Sequence, residues 1–273
     1  YTKVGREDLS ATTNADWCAK TAPSEVWPVA VPAILDVLYR YYGARDVVDE
    51  AYPALVRYAR YVVEHHPDGA VTKGIGDRLA TGKVSDDINV QLMWLNYLNH
   101  LVRFCGWLGR ADDEKEWQAT VEKMRAALRK RHMMRLTWTR GMIGDGYQSA
   151  QAAGLFLGVV EPKWRAEAFM RLQHSVSQTG LKSGEQMTGM VLEELSRHWN
   201  FGTAEKAVNG IKTKKDTHVI GFVDAWLFGY VLGVRVADDA VGGNRVILRS
   251  PDPQFGLTHA KGALRTAAGL VNV

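Results

Sequence analysis

The feature that most constrains the fold is a helical period of apolar residues that recurs along most of the chain. Between Trp27 and Tyr42, apolar side chains return every three or four positions, as they do along one face of an α-helix. These positions are Val31, Ile34, Leu35, Leu38 and Tyr41. Gly43 follows in the position that a helix C-cap prefers. The same pattern recurs in segments joined by short loops that often contain glycine, and this predicts paired helices in an α/α layered fold.

Polar residues and a proline mark the expected starts of several of the later helices. Ser85 and Asp112 are predicted N-caps, and Pro162 stands where the first turn of a helix tolerates proline. The apolar stripe that follows Asp112 consists of Trp117, Val121, Met124 and Leu128. After the first helix, the predicted helical segments are about 46–64, 85–108, 112–128, 148–157, 162–173, 186–199, 203–208 and 222–232.

The period changes near Arg245. Residues 246–248 form a short apolar run before a Pro-Asp-Pro turn, and residues 257–273 divide into short strand-like pieces between glycines. The fold class is therefore expected to be mainly α, with paired helices followed by C-terminal β-strands. We predict an extended segment over 1–26, a helical domain over 27–236, and the start of a β-sandwich over 237–273.

The amino-acid composition bears on whether the chain binds membranes or nucleic acids. Hydrophobic residues make up 46% of the chain and charged residues 23%, as is typical of a globular protein, and no apolar run is long enough for a membrane span. The densest basic stretch, 125–135, ends a helix that begins with acidic residues, as a helix dipole favours. We therefore expect no nucleic-acid partner and no membrane partner, and the composition leaves oligomeric state and localisation open.

Cysteine and histidine spacing gives no metal-binding pattern. Cys18 and Cys105 are too far apart in sequence for a ligand motif, and His65 and His66 have no further ligand at helical spacing. We predict no metal site and no cofactor. The nine tryptophans are more informative, because several lie beside predicted loops, where an indole can stack on the apolar face of a sugar ring. For any single tryptophan, however, core packing is the simpler interpretation.

Five stretches, in the same order, resemble motifs of glycoside hydrolase family 78, the α-L-rhamnosidases. The first is the helix pair PAILDVLYRYYG at 32–43 with YPAL at 52–55. The others are DGAVTKGIGD at 68–77, GYQSA at 146–150, THVIG at 217–221 with DAWL at 224–227, and GLTHAKG at 256–262. The resemblance implies an (α/α)6 toroid with its active site at one mouth. It also implies release of terminal L-rhamnose with inversion, in which a carboxylic acid protonates the leaving oxygen and a carboxylate activates water.

The chain departs from the family pattern at both catalytic motifs. Where the family carries its acid, upstream of the first helix pair, this chain offers only Gly5-Arg6-Glu7-Asp8 and Asp16-Trp17. Where the family carries its base, residues 208–215 contain no carboxylate and no tryptophan. The resemblance therefore admits two functions: a glycosidase, or a carbohydrate-binding or structural protein that keeps the fold without the acid and base. An unrelated all-α scaffold is a third interpretation.

Four residues are candidates for substrate binding. Asp77 follows Gly74-Ile75-Gly76, which would present a carboxylate to sugar hydroxyls at a loop tip; the alternative is an Asp that accepts hydrogen bonds from the amides of its own turn. Arg78 stands where the family motif has Trp, and His218 lies near the family's substrate-contacting His. Trp17 beside Asp16 offers a stacking surface. We expect Asp77, His218 and Trp17 to converge on one concave surface, because loops of an α/α toroid gather at its mouth.

Two carboxylates are the catalytic candidates. Glu185 follows Gly184 at the expected start of a helix, where the helix dipole favours its charged form, as suits a base. Asp145 lies between Gly144 and Gly146, just before the helix that begins near Gln148. Both settings are also typical of ordinary turns. Trp226, in the same motif as His218, is more consistent with the core.

Overall fold

A computed structural model of the chain describes residues 29–72, 74, 76–77, 80–81, 85–133, 140–212, 220–250 and 252–273. Within these residues the chain is mainly helical, as the apolar periodicity predicts. The helices are α1 (Ala30–Tyr42), α2 (Arg45–His65), α3 (Asp86–Leu108), α4 (Ala111–His132), α5 (Gln148–Phe156), α6 (Arg165–Thr179), α7 (Thr188–Arg197), α8 (Phe201–Lys212) and α9 (Ile220–Trp226). A π-helical turn, Leu227–Val231, continues α9.

The chain divides into two compact units. Of the described residues, the first unit comprises 29–39, 43–72, 74, 76 and 85–132, and the second comprises 40–42, 77, 80–81, 133, 140–212, 220–250 and 252–273. The first unit therefore holds α2 to α4 and most of α1, and the second holds the remaining helices and the strands.

Helices α3 and α4 form the core of the first unit. The stripe of Trp117, Val121, Met124 and Leu128 is buried, which confirms the side of α4 predicted to face inward. Three aromatic rings, those of Tyr58, Trp94 and Tyr97, pack between α2 and α3, and the hydroxyl of Tyr97 donates to the Leu55 carbonyl at 3.0 Å. The buried carboxylate of Asp36 pairs with Arg103, and this pair joins α1 to α3.

The capping residues predicted at the helix ends are found in the structure at Gly43 and Ser85, but not at Asp112. Gly43 and Gly109 adopt the left-handed conformation, with φ of 67° and 73°, and end α1 and α3 as C-caps. Ser85 occupies the N-cap of α3, although its side chain makes no capping hydrogen bond. The prediction that Asp112 caps α4 is wrong, since α4 begins at Ala111 and Asp112 belongs to its first turn. Acids in that turn and bases in the last follow the dipole.

Two antiparallel hairpins follow the helices of the second unit. Strand β1 (Val234–Val236) pairs with β2 (Val246–Leu248), and β3 (Ala263–Thr266) pairs with β4 (Gly269–Asn272). The strands after residue 245 were expected from sequence, whereas β1 begins eleven positions before the change of period at Arg245. Three residues are too few to reveal a strand's alternation of apolar and polar positions.

A small core supports the hairpins. Val236, Ala237 and Ala240 are buried together, with Tyr41 and Leu264 packed against them. No described helix combines the length and the apolar composition that a membrane span requires.

Candidate functional site

Helix α5 is the centre of a polar network in the second unit. Every residue from Gln148 to Leu155 is buried, so this short helix contacts protein on all sides. Buried helices are usually apolar, yet Gln148, Ser149 and Gln151 place polar side chains in its first turns. Buried polar groups need partners, and each of these three side chains finds them in a neighbouring loop.

Asp77 and Ser149 together hold the segment that precedes α7. The hydroxyl of Ser149 donates to Oδ2 of Asp77, and the amide of Gly184 donates to the same oxygen at 2.6 Å. The amides of Gln186 and Met187 donate to Oδ1 at 3.1 and 3.3 Å. A carboxylate has about four acceptor positions, and these four donors occupy them.

Burial raises the pKa of Asp77, and the hydrogen bonds from Ser149, Gly184, Gln186 and Met187 oppose that shift. The side chain is only 7% exposed. Among the described residues, the three amides that donate to Asp77 lie more than 100 positions away in sequence rather than in its own turn. The described contacts therefore give Asp77 a role in ordering a distant segment.

Gln148 and Gln151 hold two further loops. The Nε2 group of Gln148 donates to the Gly180 carbonyl at 2.9 Å, and its Oε1 accepts from the Lys182 amide at 2.8 Å. Gln151 donates to the Gly141 carbonyl at 2.7 Å and accepts from the Ile143 amide at 3.2 Å. We call Asp77, residues 141–147 and residues 180–187 the loop cluster. All three parts are tied to the first two turns of α5.

The loop cluster contains both predicted catalytic carboxylates. Glu185 is half-buried in the turn before α7, and the amides of Gly184 and Gln186 on either side of it are held by Asp77. Asp145 is exposed in a turn closed by the Gly146 amide on the Ile143 carbonyl at 3.0 Å. The positive φ angles of Gly144 and Gly146, 54° and 75°, favour glycine on both sides of it.

The other candidates lie outside the described residues. Trp17, Arg78 and His218 belong to stretches of the chain whose placement is not described. Their convergence with Asp77 on one surface stays a prediction. Trp226 is 5% exposed and donates its indole N–H to the Ser196 hydroxyl at 2.8 Å, which confirms that it belongs to the core.

Sequence reasoning missed a buried carboxylate near the C-terminal end of α7. The side chain of Glu194 is fully buried, with Arg165 Nη2 at 3.6 Å, Arg197 Nη1 at 3.7 Å and His198 Nε2 at 3.8 Å. Burial raises the pKa of Glu194, although Arg197 and Arg165 act in the opposite direction. Nothing local distinguishes it from its neighbour Glu193. Glu194 lies roughly 9 Å along α7 from Thr188, at the rise per residue of an α-helix, so it is not part of the loop cluster.

Metal binding has no evident site in the described part of the chain. There, no three His, Cys, Asp or Glu side chains lie close enough together to hold an ion.

Comparison with solved structures shows the same fold in three rhamnosidases. The α-L-rhamnosidase of Streptomyces avermitilis, solved with L-rhamnose, matches with a TM-score of 0.76 and 21% identity over 89% of this chain. The α-L-rhamnosidase of Dictyoglumus thermophilum matches at 0.80 and 19% over 97%, and that of Aspergillus terreus at 0.75 and 14% over 93%. This chain covers 26%, 34% and 34% of those proteins respectively.

No curated protein matches the chain. The family model described as the bacterial alpha-L-rhamnosidase 6 hairpin glycosidase domain matches residues 8–216, which include α1 to α8 and the whole loop cluster. The chain therefore belongs to the bacterial alpha-L-rhamnosidase six-hairpin glycosidase domain family.

Proposed function

We propose that the chain is the helical domain of a glycosidase that releases terminal L-rhamnose with inversion, and that its loop cluster binds the rhamnosyl group. The observation that carries the proposal is the family match over 8–216, within which the polar network of α5 organises the loops. The L-rhamnose complex of the Streptomyces avermitilis protein supports the choice of sugar.

In this proposal Asp77 positions the loop that carries Glu185. Its carboxylate is engaged by Ser149 and by three amides, so it fixes the backbone on both sides of Glu185. A site residue needs such a supporting shell, because a misplacement of about 1 Å costs much of its effect. Arg78, His218 and Trp17 would then supply the direct contacts to sugar hydroxyls and ring faces.

Glu185 is our candidate for the general base. It lies in a turn just before α7, where the helix N-terminus stabilises a carboxylate. Asp145 is the candidate acid, and an inverting pair of this kind requires about 6.5–9.5 Å between the carboxyl groups to admit a water. A catalytic acid usually depends on burial to stay protonated near neutral pH, whereas Asp145 is exposed; bound substrate would have to cover it.

Binding without turnover is the second candidate function. It is favoured by the exposure of Asp145 and by the lack of any carboxylate in residues 208–215, where the family carries its base. The same loop cluster would then recognise rhamnose with no acid–base pair across it.

Amide NMR during titration with L-rhamnose tests the proposed site. The amide signals of Gly184, Glu185 and Gln186 should shift with a single saturating affinity, and those of α8 should not. In this proposal the C6 methyl group of L-rhamnose packs against apolar side chains, so L-mannose, which carries a hydroxyl there, should bind more weakly.

Isosteric variants complete the test. Glu185→Gln should weaken L-rhamnose binding, and Glu205→Gln, which changes an exposed glutamate of α8, should leave it unchanged. Saturating L-rhamnose that moves no loop-cluster signal, or equal binding by the Glu185→Gln protein, would remove the loop cluster as the sugar site.

A further inference from the structure

Trp199 follows α7 in a backbone conformation that normally belongs to glycine. Its φ is 57°, and no other non-glycine residue among those described has a positive φ. The Asn200 amide donates to the Leu195 carbonyl at 2.9 Å, and the Trp199 amide to the Ser196 carbonyl at 3.1 Å. These two bonds define a Schellman motif with Trp199 at the position that glycine prefers. A bulky residue there costs about 1–2 kcal/mol in backbone strain.

The strained residue presents its indole outward. The side chain is 57% exposed, although tryptophan is a residue that folding normally covers. The ring of Phe201, which is buried, lies perpendicular to it with centroids 5.8 Å apart. The guanidinium carbon of Arg249 lies 4.8 Å from the indole centroid. The guanidinium therefore lies over the indole and Phe201 meets it edge to face, while more than half of Trp199 stays accessible.

The β1–β2 hairpin places Arg249 beside this indole. The Arg249 amide donates to the Gly233 carbonyl at 2.8 Å, one step beyond the last register pair of the hairpin. Gly233 has a φ of 79°, and a Cβ on it would lie 1.9 Å from the Arg249 carbonyl oxygen. Only glycine at position 233 allows the two backbones to come this close. The hairpin therefore fixes the backbone position of Arg249.

We infer that Trp199 and Arg249 form a second carbohydrate-binding surface, which takes a pyranose ring of an oligosaccharide. An exposed indole offers the flat apolar surface on which the C–H face of a pyranose stacks, and the guanidinium beside it offers several N–H donors to ring hydroxyls or to a sugar carboxylate. We call this pair the Trp199 platform. We choose a carbohydrate as its ligand because the chain belongs to a glycosidase domain family.

The Trp199 platform is separate from the loop cluster. Helix α7 begins at Thr188, directly after the loop cluster, and ends at Arg197, directly before His198 and Trp199. Nine helical steps span roughly 14 Å. A monosaccharide in the loop cluster cannot reach the indole, so the platform would contact a more distant part of the glycan or a second chain of it.

Calorimetric titration with an oligosaccharide that ends in an α-L-rhamnosyl group tests the inference. Trp199→Gly should weaken binding about tenfold and raise the urea midpoint, because glycine relieves the strain. Arg249→Gln should weaken binding without a change of fold. Met170→Ala is the matched control: Met170, on α6, is an apolar side chain with the same exposure of 57%, and its loss should leave binding unchanged.

Three outcomes would overturn the inference: equal oligosaccharide binding by Trp199→Gly and the parent protein, a lower urea midpoint for Trp199→Gly, or loss of a dimer in that variant by sedimentation. The second would mean that the indole is kept for packing, and the third that it contacts another copy of the chain. Binding of free L-rhamnose reports the loop cluster separately, so failure there leaves this test unaffected.

Discussion

The amide of Gly184 donates to the carboxylate of Asp77 across 107 positions of sequence. This bond and its companions from Gln186 and Met187 join the loop after α2 and before α3 to the start of α7. The segment that carries Glu185 is therefore ordered by a residue that sequence alone marked as a ligand to sugar. These hydrogen bonds fix the backbone on both sides of Glu185, the proposed general base.

Replacing Asp77 by Asn should destabilise the second unit strongly. The amide oxygen can accept from about two of the four donors, and the new NH₂ group would face the others. Leaving buried donors unsatisfied costs about 1–3 kcal/mol each, so we expect a loss of roughly 2–4 kcal/mol in the free energy of unfolding, measured by urea denaturation. Asp145→Asn, at an exposed turn, should change it by less than about 0.5 kcal/mol. Similar stabilities for both variants would contradict the role given to Asp77.

Gly154→Ala should destabilise the protein even though alanine is the better helix former. A Cβ at this position of α5 would lie 1.8 Å from Cδ1 of Ile143, which is only 1% exposed. Overpacking of a buried site costs about 1–3 kcal/mol, and the severity of this clash outweighs the gain of about 1 kcal/mol in helix propensity.

Gly210→Ala is the matched comparison. A Cβ there would meet no described residue within 4 Å, and its helix, α8, should gain about 0.4–1 kcal/mol. Thermal unfolding followed by circular dichroism separates the two changes by sign. An increase in Tm for both variants would show that α5 is not packed against Ile143.

The stability contributed by Glu194 should fall as pH rises. Burial raises the pKa of this carboxyl above its usual 4.5, so the folded state holds the proton more tightly than the unfolded state. By linkage, the associated stability is fully present below about pH 4.5 and is lost as pH rises through the folded-state pKa. Urea denaturation of the parent protein and of Glu194→Gln between pH 4 and pH 7 measures it. A parent-minus-variant difference that grows with pH would show that Arg165 and Arg197 outweigh burial.

Local sequence predicted the helices because their amphipathic period is written into each segment. The buried stripe of α4 and the glycine cap of α1 needed no information from elsewhere in the chain. The sequence did not predict strand β1, because Val-Arg-Val is too short to show an alternation of apolar and polar residues. Its pairing with β2 also depends on residues ten or more positions away.

The candidate site was predictable only in part, for a related reason. The glycines around Asp145 and before Glu185 marked both loops, and the position of Asp77 after three loop residues marked a third. What holds these loops depends on partners elsewhere in the chain: Gln151 lies 10 positions from Gly141, Gln148 lies 34 from Lys182, and Ser149 lies 72 from Asp77. The local pattern of apolar residues does not encode such pairs. The resemblance to a family predicted which loops are important, but it did not predict the hydrogen bonds between them.

The last prediction concerns turnover. We expect the chain as given to hydrolyse p-nitrophenyl α-L-rhamnoside poorly or not at all, and a longer parent protein that carries both motifs to do so in the presence of EDTA. General acid–base assistance contributes roughly 10²–10⁴-fold, and the chain lacks the family's base in 208–215, while Asp145 is exposed. Release of p-nitrophenol, followed between pH 5 and pH 7, measures it. Rapid hydrolysis by this chain would show that its own carboxylates suffice; Glu185→Gln and Asp145→Asn should then each remove activity by a factor in that range, while Glu205→Gln should not.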